Sequence, residues 1–233
     1  MSGAPIALVG SGEYLPVMTQ IEGALIAGRA PKYVQLATAA APEGDQSLAF
    51  WHKLGREQAE RLGVEQVIVD VRDRDDANNP ELAAMIEGAG LIYLSGGNPA
   101  FLSNTLRDTV VWEAIKAAHQ AGSALAGCSA GAMSLTEWAP RPRDFNSEHI
   151  SGLGYVPHIR VIPHFDKFGS WIPDMLRNTM LRLPEGVMLL GIDEETALVG
   201  GPHEWIVQGN QSVWHLGDGK RVEYKSGSTL ITP

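Results

Sequence analysis

The segment Gly127-Cys-Ser-Ala-Gly131 carries the strongest local chemical signal in the chain. It matches G-x-S-x-G, the pattern in which a serine stands on a sharp turn between a strand and a helix. Small neighbours let the backbone bend so that the hydroxyl stands clear. The helix that follows offers a backbone N–H to a developing oxyanion. The apolar run Ser123-Ala-Leu-Ala126 can supply the strand and Ala130-Gly-Ala-Met-Ser-Leu-Thr-Glu137 the helix. Ser129 is therefore the candidate nucleophile, and the Ala130 N–H a candidate oxyanion donor. Without that context, the same five residues would be a glycine-rich turn with a solvated serine.

A serine nucleophile needs a base, and the base an orienting acid. Of seven histidines, His52 and His119 read as surface residues on helices. His149 and His158 lie in a loop-rich stretch, and His203 and His215 among hairpins. His164 closes the apolar run Ile159-Arg-Val-Ile-Pro163, where a strand would end, and is the best placed of the seven. The run Met188-Leu-Leu-Gly-Ile192 is another strand, and it ends in Asp193-Glu-Glu195. One of these carboxylates could hold the imidazole, and spacing does not choose among them. Ser95-Gly-Gly-Asn98 follows a further strand; Gly97 can aim a second N–H at the oxyanion, while Asn98 and Pro99 have the types of a helix N-cap and first helical residue.

The elements that position these residues alternate along the chain. Strands are expected at Ile6–Val9, Tyr33–Ala37, Gln66–Val71, Leu91–Leu94 and Ser123–Ala126. Helices are expected from about Pro16 to Gly28, Gln46 to Leu62, Pro80 to Glu87 and Pro99 to His119, and a solvated loop over Asp70–Asp76. Strands apolar on both faces, alternating with helices, specify an α/β three-layer sandwich with a mostly parallel central sheet. Ligands of such sheets sit beyond the carboxyl ends of the strands, where the candidate residues fall. After Gly200, short runs separated by Gly-Asn, Asp-Gly and Ser-Gly predict C-terminal antiparallel β-hairpins. Residues 1–233 read as a single domain, with 200–233 its β-rich extension.

Composition narrows the function classes. Eighteen Lys and Arg against 27 Asp and Glu give a net charge of −9, which argues against a nucleic-acid or anionic-membrane surface. The single cysteine, Cys128, excludes an internal disulfide and reads as a small packed residue; no Cys/His cluster has zinc-ligand spacing. Gly10-Ser-Gly12 lacks the third glycine of a dinucleotide loop. No cofactor and no metal is expected. The absence of a basic and apolar leader after Met1, and of any long apolar run, predicts a soluble, cytoplasmic protein.

Together these residues resemble the dipeptidase E and cyanophycinase family of serine peptidases, whose fold is similar to flavodoxin-like and class I glutamine amidotransferase domains. The likeness runs from Ala7-Leu-Val-Gly-Ser-Gly-Glu13 through Leu36-Ala-Thr-Ala39, Gly96-Gly-Asn98, Gly127–Ala132 and Pro163-His-Phe165 to Gly191-Ile-Asp-Glu194. It implies Ser129 as nucleophile, His164 as base and Glu194 as acid, with Asp193 and Glu195 its rivals. It also implies a small peptide substrate, with homodimerisation left open. An N-terminal aspartyl preference would require a cation: Arg177, Lys167, Arg141 and Arg143 are the candidates, with Asn98 and Arg177 the expected substrate contacts. Pro99 stands where cyanophycinase-like members commonly carry Gln, and the short length is closer to dipeptidase E. The hairpin-rich tail is closer to cyanophycinase. Rival readings are an α/β-hydrolase esterase using His203 or His215, a glutaminase (disfavoured by serine in place of cysteine) and a non-catalytic ligand-binding protein.

Overall fold

A computed structural model of the chain describes residues 3–140, 151–167, 183–217 and 220–233. Strands β1 (Ile6–Val9), β2 (Lys32–Leu36), β3 (Glu65–Ile68), β4 (Leu91–Leu94) and β5 (Ala124–Cys128) pair in parallel in the order β1-β5-β4-β2-β3. Three antiparallel strands, β8 (Thr196–Gly200), β9 (Glu204–Gly209) and β12 (Thr229–Ile231), continue the sheet beyond β1.

Strand alternation sorts the side chains between two covering layers. Ala7, Val9, Tyr33, Leu91, Tyr93, Ala124 and Ala126 pack with Ile21 and Leu25 of α1 (Thr19–Ile26) and Ala59 of α2 (Asp45–Leu62). Ile6, Leu8, Val34, Ile92, Leu94 and Leu125 pack on the opposite face. Their partners include Ala77 of α3 (Arg74–Ala77), Leu82 of α4 (Pro80–Ala84), Leu102 of α5 (Pro99–Leu106), Ile115 of α6 (Val110–Gln120) and Leu135 of α7 (Ala130–Leu135). Both faces are thus covered, which is why β1, β4 and β5 are buried along their whole length.

Three expectations are refined. The helix expected over Pro99–His119 is two helices. Asp108 turns left-handed at φ 54°, and Thr109 restarts the chain as an N-cap, its hydroxyl accepting from Trp112 N–H. The acidic loop after β3 includes one helical turn, capped by Asp73 accepting from the Asp75 and Asp76 N–H groups. The C-terminal runs divide between two sheets. β10 (Ser212–Gly217) and β11 (Lys220–Lys225) form a hairpin in a second, four-stranded sheet ordered β11-β10-β7-β6, with β6 (Ile159–Ile162) and β7 (Met188–Ile192) parallel. Ile162, Phe165, Leu189 and Leu216 give this sheet a core of its own, together with Met133 of α7.

Candidate active site

The turn from β5 into α7 holds Ser129 at φ 50° and ψ −106°, a conformation L residues rarely adopt. The flanking glycines follow from the space available. A Cβ on Gly127 would lie 2.5 Å from the Gly131 carbonyl carbon, and one on Gly131 would lie 2.2 Å from the Leu94 carbonyl oxygen. Ser129 N–H donates to Val9 O at 2.9 Å, fixing the turn to the end of β1. Ala130 is the first residue of α7, so its N–H has no carbonyl to bond within the helix.

His164 leaves β6 with φ 51°, its N–H donating to Gly10 O at 3.3 Å. The imidazole lies between two groups: Nε2 is 3.0 Å from Ser129 Oγ and Nδ1 is 2.9 Å from Glu194 Oε1. Because a carboxylate only accepts, the network assigns the proton to Nδ1 and leaves Nε2 to accept from the serine hydroxyl. The His164 and Glu194 side chains are 34% and 28% exposed, so both groups are partly open to solvent.

Glu194 sits on the turn between β7 and β8, which several contacts hold in place. Its N–H donates to Asp166 Oδ1 at 2.8 Å, and its Oε2 lies 3.3 Å from Lys167 Nζ. Lys167 Nζ also lies 3.4 Å from Asp166 Oδ2. Burial pushes the Asp166 carboxyl upward, but the Glu194 N–H and the Lys167 ammonium outweigh it and hold the group below the usual carboxylate range. Hydrogen bonding to Glu194, then to Asp166, raises the Lys167 ammonium. Glu195 N–H donates to Ser11 O at 3.0 Å. Gly10 permits this approach, since a Cβ there would stand 2.2 Å from Asp193 O. The Gly10–Gly12 glycines are thus explained by packing against the acidic turn.

The three adjacent carboxylates have different surroundings. Asp193 is 4% exposed and accepts from Trp214 Nε1 at 3.0 Å and Ser212 N–H at 3.2 Å. Burial raises its carboxyl, against those two donors. Glu195 accepts from Asn210 Nδ2 at 2.8 Å. Glu194 is the one that meets His164.

The turn after β4 supplies the other expected residues. Gly97 has φ 136°, and a Cβ there would lie 2.4 Å from Ala39 O, so the position admits glycine alone. Asn98 Oδ1 accepts from Phe101 N–H at 3.0 Å as the cap of α5. That cap is its observed role. Arg177, Arg141, Arg143 and His149 lie outside the described residues. His119, expected at the surface, is half-buried, its ring nitrogens 2.7 Å from Tyr155 Oη and 3.0 Å from Ala4 O. His203 bonds the Pro233 carbonyl, and His215 pairs within β10 opposite Leu190 and Val222.

Glu13 was not among the expected site residues. It is 6% exposed; Oε1 accepts from Gly96 N–H at 3.1 Å, and Oε2 accepts from the Cys128 thiol at 2.8 Å. Burial, then the Glu13 charge, pushes that thiol well above its ordinary value, so Cys128 is a packed donor rather than a nucleophile. The available signal was an acid directly after a buried strand and a glycine turn. Among the described residues no cluster could hold a metal ion, and no helix is long and apolar enough to cross a membrane.

An α/β sandwich carrying a strained serine, an imidazole and a carboxylate in series has the arrangement of serine hydrolases. The chain belongs to peptidase family S51, whose family model matches residues 8–205. Curated relatives include a cyanophycinase of Trichormus variabilis, 28% identical over 206 residues that cover 80% of this chain and 64% of that protein. The match thus spans less than two thirds of that relative's length. A peptidase from an acI-B1 Actinobacterium superposes with a TM-score of 0.89 at 41% identity, covering 99% of this chain and 97% of its own. A putative peptidase E protein from Listeria monocytogenes shares the fold, with a TM-score of 0.61 at 17% identity over 96% of this chain and 99% of that one.

Proposed function

We propose that the chain hydrolyses small peptides through Ser129, His164 and Glu194, with a dipeptidase E-like preference for N-terminal Asp-Xaa substrates. The observation that carries this reading is the continuous relay from Ser129 Oγ through His164 to Glu194, with contacts of 3.0 and 2.9 Å. Ser129 Oγ attacks the scissile carbonyl while His164 Nε2 takes its proton. The Gly97 and Ala130 N–H groups receive the oxyanion as the tetrahedral intermediate forms. His164 then gives the proton to the leaving amine, and the C–N bond breaks to leave an acyl-serine. Water attacks the acyl group with His164 again as base, releasing the acid and restoring the serine. Glu194 holds the imidazole in the tautomer that accepts at Nε2 and offsets its charge once protonated.

The curated cyanophycinase relatives support a second reading, exo-isopeptidase cleavage of β-Asp-Arg links. The test is hydrolysis of Asp-Xaa dipeptides, other dipeptides, β-Asp-Arg and a simple ester by wild type and Ser129→Ala. Asp-Xaa cleavage that vanishes in the variant supports the first reading, and β-Asp-Arg cleavage the second. No turnover of any member removes both.

A further inference from the structure

Glu13 lies on the loop after β1, and its two carboxylate oxygens take partners from two other strand ends. Gly96, whose N–H it accepts at 3.1 Å, directly precedes Gly97; Cys128, whose thiol it accepts at 2.8 Å, directly precedes Ser129. One buried group therefore ties the turn after β4 to the turn after β5. The fit is close: a Cβ on Gly96 would lie 2.6 Å from Glu13 Oε1 and 3.6 Å from Ser129 Cβ. The next residue reinforces the same turn, since Tyr14, at φ 64°, places its hydroxyl 2.5 Å from Ser95 Oγ.

We propose that Glu13 is a positioning residue for hydrolysis, holding the Gly97 N–H and Ser129 Oγ at a fixed separation around one carbonyl group. The inference rests on the reading of Ser129 as nucleophile. A carboxylate suits the place because both partners are donors. An amide has one acceptor oxygen for the Gly96 N–H, and its NH2 would then face the Cys128 sulfur, which accepts only weakly, so the charge-assisted contact to the thiol is lost. Cys128 is held protonated by burial and by the Glu13 charge, so its S–H remains available to donate.

The test compares wild type, Glu13→Gln, Cys128→Ala and Cys128→Ser on the best peptide of the panel. Rates are expressed per active site titrated to completion with a fluorophosphonate, and melting temperatures are taken in parallel. Glu13→Gln is expected to lower kcat on the order of 10²-fold, the scale of one lost oxyanion donor, with KM changed less than about threefold. Cys128→Ala is expected to lower kcat about tenfold, and Cys128→Ser, whose hydroxyl can donate in place of the thiol, to recover most of that loss. A Glu13→Gln protein that melts earlier but keeps its kcat per titrated site would overturn the proposal, because the residue would then be structural only. If that variant does not fold, the Cys128 pair decides: equal kcat for Cys128→Ala and Cys128→Ser overturns it. A wild type that neither turns over peptide nor is labelled removes the Ser129 reading and this one with it. An active wild type insensitive to Glu13→Gln removes this one alone.

Discussion

Glu194 Oε1 stands 2.9 Å from His164 Nδ1, whereas Asp193, one residue earlier, is turned away toward the Trp214 indole. Three adjacent acids of similar chemistry are thereby separated by their surroundings. Glu194→Gln should lower kcat by about 10⁴-fold, because an amide that donates to Nδ1 selects the wrong tautomer. Steady-state kinetics on the best peptide checks this, and a loss below about tenfold would exclude Glu194 as the orienting acid. Asp193→Asn should instead act mainly on the melting temperature, since its partners are Trp214 and Ser212.

The elbow leaves no room for a methyl group. Gly131→Ala would press a Cβ to 2.2 Å from Leu94 O, a backbone atom that cannot swing aside. A loss of about 1–3 kcal/mol in unfolding free energy is expected, the usual cost of overpacking. Denaturant titration measures it, and unchanged stability would mean that β4 and α7 do not meet as described.

Lys167 is one of the cations that could have received a substrate carboxylate. Its ammonium is instead shared between Glu194 Oε2 and Asp166 Oδ2, at 3.3 and 3.4 Å. The side chain is 64% exposed, so solvent weakens both contacts. Lys167→Ala should therefore change kcat/KM for an Asp-Xaa peptide by less than about tenfold. A larger rise in KM, confined to substrates with an N-terminal acid, would make Lys167 the specificity cation.

Stability should also depend on pH through Glu22, a buried carboxyl on α1 that bonds the Tyr33 hydroxyl at 3.0 Å. Burial raises its pKa from 4.5 to about 7. The folded state therefore binds the proton more tightly than the unfolded chain. The contribution is full below about pH 4.5 and is lost as pH rises through about 7. Glu22→Gln should remove this slope and make the protein more stable than wild type at pH 8, by on the order of 1–3 kcal/mol. Chemical denaturation at pH 5 and pH 8 checks the sign; a variant less stable than wild type at both would contradict it.

What the sequence revealed depended on how local the cause was. The small residues around Ser129 fall within five positions, so the elbow could be read directly, although what makes Gly131 small is the Leu94 carbonyl of β4. The parallel core strands could also be read, because burial on both faces leaves continuous apolar runs such as Ile6–Val9. The residues alone did not separate Glu194 from its neighbours. That separation comes from β10, which brings Trp214 and Ser212 to Asp193 and so depends on tertiary pairing. Glu13 was missed for the same reason, its partners lying 83 and 115 positions away. β6 and β7 were legible as strands, but an apolar run does not say which sheet it joins. The break at Asp108 was hidden by a helical pattern that continues on both sides of it.

The central claim is that His164 activates the Ser129 hydroxyl. Its most direct test is the site and rate of fluorophosphonate labelling, followed by intact-protein and peptide mass spectrometry. Wild type should gain one adduct, on the peptide carrying Ser129. Ser129→Ala should gain none, and His164→Ala should label on the order of 10³-fold more slowly or not at all. A folded wild type that acquires no adduct, or one labelled at the same rate without His164, would contradict the account.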